Sequence, residues 1–166
     1  MLAIMYSYGQ YIQTMKNVNL VALPRRCRSW VCMEEVLNGI VTITTENAPS
    51  PLGHYVQAAR AASLIHISGQ LPIVAGGVAN NQSAPFEAQA KLVIQNFLAI
   101  VAAAGAGPER VIKVTAYIVG SSNWPAFNHA FAEAFGDHRP GRSVVPVPEL
   151  HHGYLIEIDG IAVDMA

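Results

Sequence analysis

From residue 41 onward the chain switches between two hydrophobic periods, and each switch marks a change of element. Val41-Thr42-Ile43-Thr44 has period two, which predicts a strand, and the turn-rich Asn47-Ala48-Pro49-Ser50-Pro51 follows it. Tyr55 to Ala61 and Leu64 to Gly69 read as a pair of short strands; in the second, Ile65 and Ile67 share one face while Leu64, His66 and Ser68 share the other. Residues 72–83, with Gly76-Gly77 and Asn80-Asn81, read as a polar loop. The period then becomes helical: Leu92, Val93, Phe97, Ile100, Val101 and Ala104 fall on one side. Ser83 is the expected cap of that helix, Pro85 suits its first turn, and Gly105 suits the position just past its end. Ile112, Val114, Ala116 and Ile118 alternate as a buried strand. A second helix, capped by Ser121 or Ser122, stacks Phe127, Phe131 and Phe135 at i, i+4 and i+8 and ends at Gly136; these rings are expected in the core. The closing strands run roughly over 142–147 and 154–163. The order β-β-β-α-β-α-β-β predicts an α+β fold with two helices on one face of a sheet.

The 166 residues suffice for one domain with a real core, and 52% of them are hydrophobic, as in a globular chain. No apolar run reaches the length of a membrane span. Charge divides the chain unevenly. Residues 1–32 carry Lys16, Arg25, Arg26 and Arg28 and no acid, whereas residues 33–166 hold six basic and eleven acidic side chains. A net charge of −1 provides no field for nucleic acid or an anionic membrane. Both cysteines, Cys27 and Cys32, lie in the basic leader, which excludes a disulfide framework for the domain and makes a cytoplasmic location the default. Composition changes at Met33-Glu34-Glu35-Val36, so residues 1–40 read as an N-terminal extension, disordered or the product of a misplaced start, with residues 41–166 forming the domain. A targeting peptide ranks second for the leader and a functional arm last.

Candidate chemistry concentrates in the last quarter. Arg142 opens one apolar strand and Glu157 interrupts another, in a chain with only 13% charged residues. Arginine clamps a carboxylate in a bidentate fork, and a half-buried glutamate beside it handles protons. The plain alternative is structural, with Glu157 paired to Arg110 or Lys113. Strand alternation puts Leu155, Glu157, Asp159 and Ile161 on one face, where desolvation is expected to raise the pKa of Glu157. Asp159 reads as a structural or rim acid. His151-His152 has no third ligand nearby and reads as loop residues lining a rim, not as a metal site. A Gly-rich phosphate loop, a Gly-x-Ser-x-Gly elbow and a His-Glu-x-x-His motif are all missing from the sequence.

From about Ile43 to Val163 the chain resembles the RidA family, also known as YjgF, the enamine/imine deaminases. The stretches that carry the resemblance are Thr45-Glu46-Asn47-Ala48-Pro49, Gly53-His54-Tyr55-Val56-Gln57-Ala58 and Ile67-Ser68-Gly69-Gln70-Leu71-Pro72. Gln89, Asn96, Ala103-Ala104-Gly105 and Asn128 follow in order, and then Pro140-Gly141-Arg142-Ser143-Val144 and Ile156-Glu157-Ile158-Asp159-Gly160-Ile161-Ala162. The resemblance implies a chorismate-mutase-like sheet packed by two helices, closed into a homotrimeric barrel with active sites between subunits. It implies hydrolysis of reactive 2-imino or 2-enamino acids, such as 2-iminopropanoate and 2-iminobutanoate, to 2-oxo acids and ammonia. The role would be cytoplasmic control of metabolite damage. No metal or organic cofactor is implied, and neither nucleic acid nor membrane is a partner. By the same resemblance Arg142 binds the substrate carboxylate and Glu157 attends the attacking water. Tyr55, Ser68, Gly69, Asn128 and the backbone of Val144 line the cleft; Val144 stands where many relatives carry cysteine. Gly141 and His151-His152 depart from the family pattern. A non-catalytic trimer that binds small carboxylates is the competing expectation, while a ribonuclease or a chorismate mutase fits the charge poorly.

Overall fold

Six strands and two helices form where the hydrophobic periods place them. The structure is a computed structural model that describes residues 39–77 and 81–164. The expectations for the leader, including Cys27, Cys32 and Met33, and for Asn80 lie outside the described residues. In chain order the elements are β1 (Val41–Ile43), β2 (Ala58–Ala61), β3 (Leu64–Gln70), α1 (Phe86–Ala103), β4 (Val111–Val119), α2 (Trp124–Phe135), β5 (Gly141–Val147) and β6 (Ile156–Val163). They build one mixed sheet in the order β1-β2-β3-β6-β4-β5, in which only β5 runs parallel to its neighbour, β4.

Among the described residues, helices cover one face of the sheet and leave the other open. Ile65 and Ile67 of β3, Val114, Ala116 and Ile118 of β4, and Ile156, Ile158 and Ala162 of β6 are buried. They meet Val93, Ile94, Phe97, Ile100 and Val101 of α1 and Phe127, Phe131 and Phe135 of α2 in one cluster. α1 has the length and composition of a membrane span, yet half of it is buried inside the fold with its apolar side on the sheet. Gly160 makes that approach possible: a Cβ there would press on the Phe97 ring at 2.8 Å and on the Lys113 carbonyl oxygen.

The helix ends differ from the sequence expectation at their starts. α1 begins behind Pro85, whose carbonyl accepts from the backbone N–H of Ala88 and Gln89; Ser83 makes no cap. A buried amide ties down the incoming loop, because Gln89 Nε2 donates to the carbonyls of Gln82 and Ala84. Before α2, Ser121 and Ser122 belong to a 3₁₀ turn, and neither caps; Asn123 Nδ2 donates to the Val119 carbonyl instead. The C-terminus of α1 follows expectation. Gly105 at φ +83° lets its own N–H reach Ala102 O while Ala106 N–H reaches Val101 O, the Schellman arrangement.

β2 also starts later than expected, at Ala58. Residues 55–57 leave the ladder because Gln57 turns inward, buried, and its Nε2 donates to the carbonyls of Thr45, Ala48 and Pro49. Its Oε1 accepts the Thr45 N–H at 2.6 Å. Stripping a buried amide of such partners costs about 1–3 kcal/mol per orphaned group, so this one side chain fixes the 45–57 loop.

Candidate active site

Pairing between β5, β4 and β6 decides where the candidate residues point. Arg142 lies beside Val114 in the parallel β4–β5 pair, and Glu157 lies opposite Tyr117 in the antiparallel β4–β6 pair. Val114 and Tyr117 are three residues apart on one strand, hence on opposite faces. Arg142 therefore projects on the helix-covered side and Glu157 on the open side. Within a single chain the two are not neighbours, which corrects the expectation of a carboxyl beside the guanidinium: the sheet stands between them.

On the open side, Tyr55, Ser68, Gly69 and Glu157 line one cavity of about 610 Å³, together with His151 and His152. A β-bulge builds its floor. The β3–β6 register shifts between Ile67 and Gln70, and Ser68 and Gly69 occupy the irregular stretch. Ser68 is held from behind, its Oγ donating to Val56 O at 2.6 Å and its N–H to Gln57 O at 3.0 Å. Gly69 is bare for a reason: a Cβ there would collide with Oε1 of Glu157. The glutamate carboxyl thus rests on glycine backbone. Burial raises the Glu157 pKa; His151 pulls it back, and Asp159 adds a smaller push upward. Neither partner of the structural alternative engages it, since Lys113 Nζ donates to Ser143 Oγ and Arg110 pairs with Glu109. Asp159 sits by Tyr117 and is the main cause of that phenol's raised pKa. Tyr55 lies in the loop, half exposed, with its hydroxyl accepting the Leu52 N–H at 3.3 Å.

Gly69→Ala is expected to leave the melting temperature close to wild type while removing most activity. Only the flexible end of Glu157 must move to admit the methyl, but that end is the candidate proton-handling group. Thermal melting and turnover measured on the same preparation check the split.

On the covered side Arg142, Asn128 and Val144 form the second group. Arg142 Nη2 donates to Asn128 Oδ1 at 2.9 Å, and the guanidinium lies 4.8 Å from the centroid of Phe131 and 5.4 Å from that of Phe127. Stacking of this kind contributes about 0.5–2 kcal/mol and fixes the plane of the fork. Among the described residues Arg142 forms no ion pair. Val144 follows two residues along β5, so it shares the side of Arg142. Phe127 and Phe131 were legible as core but not as the shelf under the arginine; their register with residue 142 appears only once β5 is seen beside β4.

His151 and His152 line the cavity, as their rim position implied. His152 adopts φ +61°, ψ +12°, a left-handed conformation that costs a non-glycine residue about 1–2 kcal/mol. No cluster of three or more His, Cys, Asp or Glu side chains suited to a metal ion occurs among the described residues.

A family model described as Endoribonuclease L-PSP, the model of the RidA proteins, matches residues 45–164. The chain belongs to the RidA family. Among curated RidA relatives, a RutC family protein of Pyrococcus horikoshii is 39% identical over 122 residues, covering 72% of this chain and 94% of its own. The 2-iminobutanoate/2-iminopropanoate deaminase of Salmonella typhimurium is 37% identical over 127 residues, covering 74% and 96%. Among solved structures, E. coli TdcF with bound serine superposes with a TM-score of 0.69 at 34% identity, covering 74% of this chain and 98% of that one. The six-stranded sheet with two helices is thus the RidA fold.

Proposed function

We propose that this protein hydrolyses 2-imino and 2-enamino acids, such as 2-iminopropanoate and 2-iminobutanoate, to 2-oxo acids and ammonia, as a cytoplasmic homotrimer. The observation that carries the proposal is the division of the site. A pre-oriented, unpaired guanidinium stands on one side of the sheet, and a desolvated carboxyl in a cavity stands on the other. Each is half of a site for a small carboxylic acid, and the half that one chain lacks is what the next chain presents. The open sheet face supports the assembly, since Leu64, Val145 and Ile161 stand on it with no helix over them among the described residues.

In the joined site Arg142 of one chain takes the substrate carboxylate in its fork, while Asn128 and the two rings hold the fork's plane. The imine carbon then faces Glu157 of the neighbouring chain. Glu157 takes a proton from water as its oxygen bonds to that carbon; Tyr55, the Ser68-Gly69 backbone and the Val144 backbone confine the acid between them. The family model's endoribonuclease description is disfavoured by the charge of this domain, six basic against eleven acidic side chains over 33–166, and by the lack of a basic aromatic groove among the candidate residues. A second proposal, carboxylate binding without turnover, draws its support from the serine held by the E. coli relative.

The test is to generate 2-iminopropanoate with a serine dehydratase and follow its disappearance. Wild-type protein is expected to accelerate the loss, and Arg142→Ala to abolish the acceleration. No acceleration, with pyruvate still bound, overturns hydrolysis in favour of the binding role.

A further inference from the structure

Imine hydrolysis moves protons at two atoms, and the proposal so far names a group for one of them. Water must lose a proton as it adds, and the nitrogen must gain protons before it can leave as ammonia. Arg142 keeps its protons at any ordinary pH. The titratable side chains lining the cavity are Tyr55, His151, His152 and Glu157. A phenol titrates near ~10, so around neutrality only the carboxyl and the imidazoles exchange protons readily.

We propose that His151 is the second catalytic residue, serving the substrate nitrogen while Glu157 serves the oxygen. The inference rests on the imine-hydrolysis proposal above. His151 lines the same cavity as Glu157, and its side chain is near enough to favour the carboxylate against the effect of burial. The other charged or titratable groups around Glu157 are Asp159 on the same strand, Tyr117 on β4, Tyr55 in the loop and His152 in the turn. The His151 mount is firm. Residues 151–153 form a 3₁₀ turn in which Gly153 N–H donates to Leu150 O and Tyr154 N–H to His151 O. Tyr154 is fully buried and its hydroxyl donates to Asn81 Oδ1 at 2.8 Å, so the end of the turn is anchored in the core. Neither His ring makes a hydrogen bond among the described residues; the two rings lie 6.1 Å apart, tilted by 46°. A strained His152 in the turn is the kind of backbone cost found where side chains must be aimed.

The protons balance with each group serving one atom. Glu157 carboxylate takes a proton from water as the O–C bond forms, and the C=N electron pair takes a proton from imidazolium. The carbinolamine now carries OH and NH₂. The proton on Glu157 passes to His151, which resets both. In the second half His151 protonates the nitrogen, the C–N bond breaks and its electron pair leaves with ammonia. Glu157 takes the hydroxyl proton as C=O forms, and a final transfer to His151 restores the starting state. Imine and water have become 2-oxo acid and ammonia, with no other reactant.

The test is turnover of 2-iminopropanoate by the full chain across pH, for wild type, His151→Gln, and His151→Ala with and without added imidazole. His151→Gln is expected to lower kcat by about 100-fold with little change in KM and to flatten the alkaline limb of the profile. Added imidazole is expected to restore part of the rate to His151→Ala, which a merely structural role would not allow. If wild type and the Arg142→Ala control behave as proposed but His151→Gln keeps the wild-type kcat and pH profile, this assignment alone is overturned. Loss of rate in His151→Ala that imidazole does not restore also overturns it. If wild type shows no acceleration at all, hydrolysis and this assignment fall together.

Discussion

An equimolar mixture of Arg142→Ala and Glu157→Gln chains, refolded together, is expected to recover about one quarter of wild-type turnover, although each variant alone is nearly inactive. The expectation follows from strand parity. Arg142 aligns with Val114 and Glu157 with Tyr117, so the sheet separates them in every chain and a working site must borrow one of them. In a closed ring each site joins the arginine side of one chain to the glutamate side of the next. Random assembly of the two variants then places both intact groups in about one site in four. Proteins refolded separately and mixed afterwards are the control. A co-refolded mixture that assembles yet stays as inactive as its parts would mean that each chain carries its own complete site, and the proposed assembly would fail.

Glu157→Gln is expected to lower kcat by about 10²–10⁴-fold, the usual contribution of a positioned general base, and to erase the acidic limb of the pH profile. Wild-type rate should rise as Glu157 ionises. Burial is the main cause of its raised pKa, so that rise is expected above the ordinary carboxylate value of 4.5. Stability should move the other way. A carboxyl with a raised folded pKa binds its proton more tightly folded than unfolded. Its ionisation therefore costs stability above the folded pKa, and the cost fades as pH falls through the window down to the ordinary value. The glutamine variant should accordingly melt at or above the wild-type temperature at pH 7, with the difference closing in acid. Thermal melts beside turnover from pH 4 to 9 check both signs. A variant that melts well below wild type at neutral pH would make Glu157 a structural residue.

Much of this was legible along the chain because period two and period 3.6 are local signals. Val114 to Ile118 and the phenylalanines at 127, 131 and 135 announced their elements by spacing alone, and Gly105 announced the end of α1; Ile112, expected in the buried alternation, is exposed because an irregularity between Val111 and Lys113 shifts the register and buries Val111. What stayed hidden depends on non-local partners. Gln57 looks like any polar residue between two short strands until its amide is seen gathering three carbonyls from the 45–49 loop, which moves the start of β2. Ser83, Ser121 and Ser122 have the chemistry of caps, but the helices begin behind Pro85 and Asn123, where none of these serines is the capping residue. The candidate residues could be named from the sequence, and their layout could not. Residue types at 142 and 157 pointed to carboxylate binding and proton transfer. Their placement on opposite faces depends on β5 lying parallel to β4, and nothing in either strand's own pattern states which neighbour it will choose.

The assembly proposed above would also make activity a matter of dose. A solitary copy, newly released from the ribosome or diluted below its association threshold, would hold only unmatched halves and stay inert. Output per molecule would then climb with abundance before levelling off, so doubling a scarce supply would more than double the clearance.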